Sequence, residues 1–220
     1  MTIFNLLHLD SSLTGAVSVS RLLSRETVDA WRAADPAVHV TYRDLALSVP
    51  PQLTPDTVAS MRLRSEPASA QATAELAHIN LLLEEFLAAD AIVIGAPMYN
   101  FGVPTQLKAW IDALAQAGKT FEYTPQGPRG LAGGKRVVIA SSRGNIYSTP
   151  QMQDKDFQER YLVAALQFMG ITQFDVVRAE GVNRGPEVRD AALASARAAI
   201  AQLFAAQNTA LHTAQEAVAP

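Results

Sequence analysis

Along this chain, short uncharged apolar runs alternate with longer stretches whose apolar residues recur every three or four positions. The run Ala91-Ile92-Val93-Ile94-Gly95-Ala96 carries no charge and is followed by Pro97. It reads as a strand buried on both faces, as in a parallel sheet. Ile3–Leu9 and Arg136–Ser141 have similar character, Phe174–Gly181 reads as a last strand, and Val38–Tyr42 alternates like a strand nearer an edge. Helical spacing appears from about Ser20 to Asp35, with Leu22, Leu23, Val28 and Trp31 on one face. It recurs over Ala74–Ala88, through Leu76, Ile79, Leu82, Leu83, Phe86 and Leu87. Leu107, Ile111 and Leu114 form a third stripe that Gly118 ends, and Phe157, Tyr161, Ala165 and Phe168 a fourth that Gly170 ends. A final Ala-rich helix opens at Pro186 and extends to about 207, leaving 208–220 as a frayed tail. From Ser48 to about Ala70 four Pro interrupt the pattern, which suits a long excursion loop, a lid, a dimer contact or plain surface. Phe121 to Gly134, with four Gly and two Pro, reads as an irregular loop or short hairpin.

Five strands alternating with helices predict one α/β domain over 1–207, a doubly wound parallel sheet with helices on both faces. Five strands favour the order 2-1-3-4-5, which makes strands 1, 3 and 4 neighbours. Their carboxyl-end loops are Asp10–Ser20, Pro97–Pro104 and Ser142–Asn145. The first holds five hydroxyl side chains and opens a helix N-terminus, where unpaired N–H groups and the helix dipole attract phosphate. Ser18 reads equally as a helix cap, and the two roles are compatible. The second loop is stiff, with two Pro, two aromatics and an amide side chain suited to a planar ring. In the third, Gly144 allows close backbone approach to a ligand, although Gly144-Asn145 alone is also an ordinary turn. Together the three loops suit a mononucleotide bearing a flat heterocycle. No GxGxxG fingerprint and no Walker lysine motif is present, so FMN fits better than NAD or ATP.

Composition narrows the function classes further. The 220 residues carry 18 basic and 21 acidic side chains, a net charge of −3 that argues against nucleic-acid or anionic-membrane partners. The absence of cysteine excludes disulfides, thiolate metal sites and cysteine nucleophiles, and with them a flavodoxin-like phosphatase. No metal is expected. There is no signal-peptide pattern and no apolar run of membrane-spanning length, so a cytoplasmic protein is expected.

The loops also carry a resemblance. Ser11-Ser12 through Ser18-Val19-Ser20, the string Ala96-Pro97-Met98-Tyr99-Asn100-Phe101, Thr120-Phe121-Glu122-Tyr123-Thr124, Ser142-Arg143-Gly144 and Ala179-Glu180-Gly181 resemble the FMN-dependent NADH:azoreductase and quinone oxidoreductase family. The resemblance implies a flavodoxin-like fold, a homodimer with two interface sites and noncovalent FMN. By motif, Ser12, Ser18, Val19 and Ser20, with Ser11 beside them, would surround the phosphate. Pro97, Met98, Tyr99, Asn100 and Phe101 would lie along the ring and ribityl chain. Ser142, Arg143, Gly144 and Asn145 would close over the ring edge. Phe121 and Tyr123 would reach the substrate pocket, of this subunit or its partner. Val19 stands where the family often has a polar residue, and Asn145 where Gly is frequent. The implied activity is ping-pong: NADH passes two electrons through FMN to a quinone or an aromatic azo compound, with no catalytic acid or base required. The competing readings are a flavin reductase without azo activity and a flavodoxin-like electron carrier.

Overall fold

The computed structural model describes residues 4–63 and 65–216, with side chains through Ala205; Ile3, expected in the first strand, lies outside the described residues. The strands in chain order are β1 (Asn5–Asp10), β2 (His39–Asp44), β3 (Ala91–Pro97), β4 (Phe121–Thr124), β5 (Gly127–Gly130), β6 (Arg136–Arg143) and β7 (Gln173–Glu180). Helices are α1 (Val19–Ala34), α2 (Pro55–Leu63), α3 (Ala70–Ala88), α4 (Thr105–Leu114), α5 (Gln158–Phe168) and α6 (Pro186–Glu216). A five-stranded sheet runs in the order β2-β1-β3-β6-β7, every pair parallel. The expected order 2-1-3-4-5 counted five strands; here seven form, and β4 and β5 pair antiparallel as a separate hairpin.

All seven residues of β3 are buried, as its lack of charge requires of a strand covered on both faces. Alternation along the strands divides the core in two. Leu7, Leu9, Ile92, Ile94, Val137 and Ile139 pack against Ile79, Leu82 and Phe86 of α3, Leu107 and Trp110 of α4, and Leu162 and Leu166 of α5. On the other face, Leu6, Val93, Val138 and Val177 meet Val19, Leu23 and Trp31 of α1 and Leu193, Ile200 and Phe204 of α6. The register sets Asp10 beside Gly95, Pro97 beside Ser142, and Arg143 beside Glu180, so the carboxyl ends of β1, β3, β6 and β7 finish along one edge.

Three elements depart from the pattern reading. The Ser48–Ala70 excursion contains α2. Thr54 and Thr57 exchange hydrogen bonds, each hydroxyl accepting from the other's amide at 2.8 and 3.3 Å, and Pro55 fills the first helical position. That Thr-Pro-Asp-Thr string is a helix start, outweighed in the sequence reading by the density of proline. Second, α5 buries Leu162 and Leu166, while Phe157 and Phe168, expected on its inner stripe, are largely exposed. Third, α6 continues to Glu216, past the expected end near 207, because no Gly or Pro lies between Pro186 and Glu216 to stop it.

The hairpin is fixed to α5 by glycine contact. A Cβ on Gly130 would fall on the Gly170 backbone, well inside contact distance, and Gly170 has φ +100°. Leu131 N donates to Thr120 O and Ala132 N to Met169 O, both at 2.8 Å. Gly130→Ala is therefore expected to destabilise the chain by about 2 kcal/mol through forced backbone displacement. Urea denaturation should show a lower midpoint at unchanged slope.

Candidate functional site

The loop after β1 is braced from below. Ser18 caps α1, its Oγ accepting from Arg21 N at 3.3 Å. The N–H groups of Val19 and Ser20, in the first turn, have no hydrogen-bond partner among the described residues. Arg21 grips Asp44 with two hydrogen bonds of 2.6 and 2.7 Å and donates to Ser12 O at 2.7 and 3.1 Å. Asp10 accepts from Ser24 Oγ at 2.7 Å and from Tyr42 Oη at 3.0 Å, and His8 Nε2 lies 3.0 Å from the same Ser24 hydroxyl. Burial, followed by the Asp10 charge, pushes the Tyr42 phenol up to about 12. Burial also disfavours the Asp44 carboxylate, but Arg21 and the Ala46 amide outweigh it and hold that group below its ordinary value.

The loop after β3 is a tight turn. Tyr99 and Gly102 exchange two backbone hydrogen bonds of 3.0 Å around Asn100 and Phe101, whose φ values are +49° and +70°. Asn tolerates that left-handed region and Phe does not, so the turn stores on the order of 1–3 kcal/mol of strain. The Tyr99 hydroxyl accepts from Leu13 N at 3.0 Å and lies 3.3 Å from Ser12 Oγ, tying this loop to the first.

The third loop continues the β6 strand. Ser142 O accepts from Met98 N at 2.8 Å. The carbonyls of Arg143, Gly144 and Asn145 accept from the amides of Val182, Asn183 and Gly181, each at 3.1 Å. A Cβ on Gly144 would sit 2.7 Å from Asn183 Nδ2, so the close approach here is between two loops of the chain. The Arg143 side chain is fully buried below the loop, with Asp156 at 2.8 Å, Glu159 at 2.5 Å and Glu180 at 3.1 Å. Glu180 also accepts from Tyr147 N at 2.9 Å. Burial opposes the Glu159 and Glu180 charges; for Glu159, hydrogen bonding from Arg178 and the Arg143 charge reverse the balance. For Glu180, Ser148, the Tyr147 amide and Arg143 do so, and both carboxyls lie below their ordinary values.

These loops enclose a cavity of about 320 Å³. Of the residues expected to hold a cofactor, Ser12, Ser18, Val19, Pro97, Met98, Tyr99, Ser142, Arg143 and Gly144 line it. With its side chain buried among carboxylates, Arg143 can contribute only main chain there. The others lie elsewhere. Ser11 Oγ donates to Gly95 O at 2.7 Å, and Ser20 is buried with its hydroxyl 3.1 Å from Ser18 Oγ. Asn100 is exposed, Phe101 packs edge-on to Tyr147, and the Asn145 amide oxygen accepts from Ile146 N. Phe121 and Tyr123 line a separate, larger cavity of about 650 Å³ with Leu53, Val58, Met61 and Arg62. The first cavity also recruits Thr14 and Val17, and from the far end of the chain Val182, Asn183 and Arg189. No local motif marked those last three; only the β7–α6 turn's position beside β6 brings them in.

Comparison with known proteins shows the family to which this fold belongs. A profile for the flavodoxin-like fold matches residues 5–204. The chain is 52% identical over 199 residues, 90% of its own length and 92% of the relative's, to the FMN-dependent NADH:quinone oxidoreductase 2 of Xanthomonas euvesicatoria pv. vesicatoria (strain 85-10). It is 50% identical, over 90% of its length and 98% of the relative's, to the FMN-dependent NADH:quinone oxidoreductase of Laribacter hongkongensis (strain HLHK9). This chain belongs to that flavodoxin-like family. Among solved structures, an azoreductase from Bacillus anthracis superposes with a TM-score of 0.85 at 27% identity, covering 92% of this chain and 99% of that one.

In this family member the arginine–carboxylate cluster under the third loop is a frame for the site. Arg143→Met leaves Asp156, Glu159 and Glu180 without their shared cation and is expected to cost about 3–5 kcal/mol at pH 7. Glu159 and Glu180 have depressed pKa values, so their stabilising contribution is present above the ordinary carboxylate range and fades as pH falls through the folded values. The deficit of the variant should therefore narrow towards pH 4, measured by urea titration at both pH values. An equal deficit at both would mean that packing, not charge, dominates.

Proposed function

We propose that the chain binds FMN in the 320 Å³ cavity and passes two electrons from NADH to quinones and aromatic azo compounds. The observation that carries this reading is the chemistry of the cavity wall. The α1 N-terminus brings the unpartnered Val19 amide into the wall with Ser12 and Ser18, the unpartnered Ser20 amide is next in the same turn, and no carboxylate lines the cavity. A phosphate monoester finds donors there without charge repulsion. The cavity lies at the carboxyl edge where the chain turns from β1 to opposite sides of the sheet, the switch point at which such folds take ligands. Both quinone-oxidoreductase relatives carry FMN and NADH in their names, and the 27%-identical structure is an azoreductase.

Bound FMN would supply reversible two-electron chemistry between a hydride donor and a quinone. The residues of the chain bind and orient. Ser12, Ser18 and the Val19 and Ser20 amides would hold the phosphate end. Pro97, Met98 and Tyr99, with the main chain at Ser142–Gly144, would hold the ring. Tyr99 binds the first two loops into one unit, so the phosphate and ring subsites keep their spacing. None of these side chains is assigned a proton-transfer role.

We further propose that the enzyme is a cytoplasmic homodimer, working where NADH is held. No helix among the described residues is long and apolar enough to cross a membrane. Tyr123 is 76% and Phe157 59% exposed, and Phe168 and Phe101 add further exposed aromatic surface. Aromatic groups left on a monomer surface in this number favour a second copy as cover. In such a dimer Phe121 and Tyr123 would complete the acceptor pocket of the partner's site.

Anaerobic absorbance spectroscopy tests the activity. The oxidised flavin bands should bleach within seconds of adding NADH and return on adding a quinone; bands that persist with NADH would refute the reading. Tyr99→Phe should weaken FMN binding by roughly fivefold, since one hydroxyl–amide link between loops is lost. For the assembly, sedimentation should give twice the chain mass, and Phe157→Glu should shift it towards monomer. A wild-type monomer would refute the dimer.

A further inference from the structure

The proposed phosphate subsite offers neutral donors to a phosphate monoester, which carries about −1.5 to −2 at neutral pH. The basic residue nearest in sequence is Arg21, in the first turn of α1. Its guanidinium is already committed to Asp44 and to Ser12 O. Two arginines line the cavity. Arg143 is enclosed by Asp156, Glu159 and Glu180, and its side chain is fully buried. The other is Arg189, in the first turn of α6. Its side chain makes no ion pair or hydrogen bond among the described residues.

We infer that Arg189 is the cationic anchor for the 5′-phosphate of FMN, an assignment that rests on the flavin reading above. The fold makes the approach possible. Helices α1 and α6 pack side by side on one face of the sheet, through Val28 and Trp31 against Ala196, Ile200 and Phe204, and both begin at the carboxyl edge. Arg189 shares the cavity wall with Ser12, Ser18 and Val19, the residues at the phosphate end. Val19 offers only its amide, so no other side chain at that end is cationic. The acidic neighbours Glu187 and Asp190 do not line the cavity. An exposed, uncommitted guanidinium in the same wall as those hydroxyls, with no carboxylate lining it, suits an anion and can fork onto two phosphate oxygens.

The test compares FMN with riboflavin, which has the ring but lacks the phosphate. Both are titrated by flavin fluorescence against the full-length chain freed of flavin, as wild type, Arg189→Ala and Arg189→Lys. Arg189→Ala should weaken FMN roughly tenfold and leave riboflavin unchanged. Arg189→Lys should fall between, and the salt dependence of FMN binding should flatten in Arg189→Ala. Unchanged FMN affinity, or equal weakening of FMN and riboflavin, would overturn the assignment while the flavin reading stands. A raised KM for NADH with unaltered FMN affinity would also overturn it, transferring Arg189 to the donor's phosphates. A wild-type chain that binds neither flavin would refute the flavin reading itself, and this anchor with it.

Discussion

The seating of α1 against Gly95 is the constraint on which the site depends. A side chain at Gly95 would collide with Asp10 Oδ1 and crowd Ser24 Oγ and Ser20 O, so only glycine lets the first turns of α1 descend onto the β1–β3 seam. That descent sets the height of the Val19 and Ser20 amides above the sheet edge. It also brings Ser24 within hydrogen-bond reach of Asp10, and Ser11 within reach of Gly95 O. Raising the helix by the width of one methyl group would disconnect the polar network beneath it and move Ser18 and the Val19 amide away from Tyr99.

Two charged clusters flank this seam and share a logic. Arg21 with Asp44 braces the first loop through Ser12 O, and Arg143 with Asp156, Glu159 and Glu180 braces the third. Neither cluster offers its charges to the cavity. Buried ion pairs add little net stability because desolvation offsets attraction, yet breaking one strands the remaining charges. Their contribution is geometric: they hold the loop backbones in place without placing a carboxylate in the cavity wall. Arg189 also lines that wall, and its side chain makes no ion pair or hydrogen bond among the described residues.

Phe157, just before α5, and Phe168, at its end, break the rule that helical stripes face inward, and Leu87 of α3 does so too. The Gly130–Gly170 contact holds the hairpin rigidly on α5, so Tyr123 is presented from a stiff support.

Hydrophobic periodicity by itself determined the five sheet strands, the parallel class and the carboxyl edge at which the three loops meet. Those features follow from local rules: an uncharged run such as Ala91–Ala96 is stable only when covered on both faces, and Pro97 must end it. The motif strings likewise placed nine of the cavity-lining residues by number. Tertiary structure alone decided how each polar group is used. It gave Ser11 to Gly95 and Arg143 to three carboxylates, turned Phe157 outward, set Phe121 and Tyr123 on a second cavity, and brought Arg189 to the first. A hydrogen-bond donor takes the partner that the fold brings near, and that partner is often far away in sequence. Periodicity can say that a residue faces in or out, but not what it will meet there.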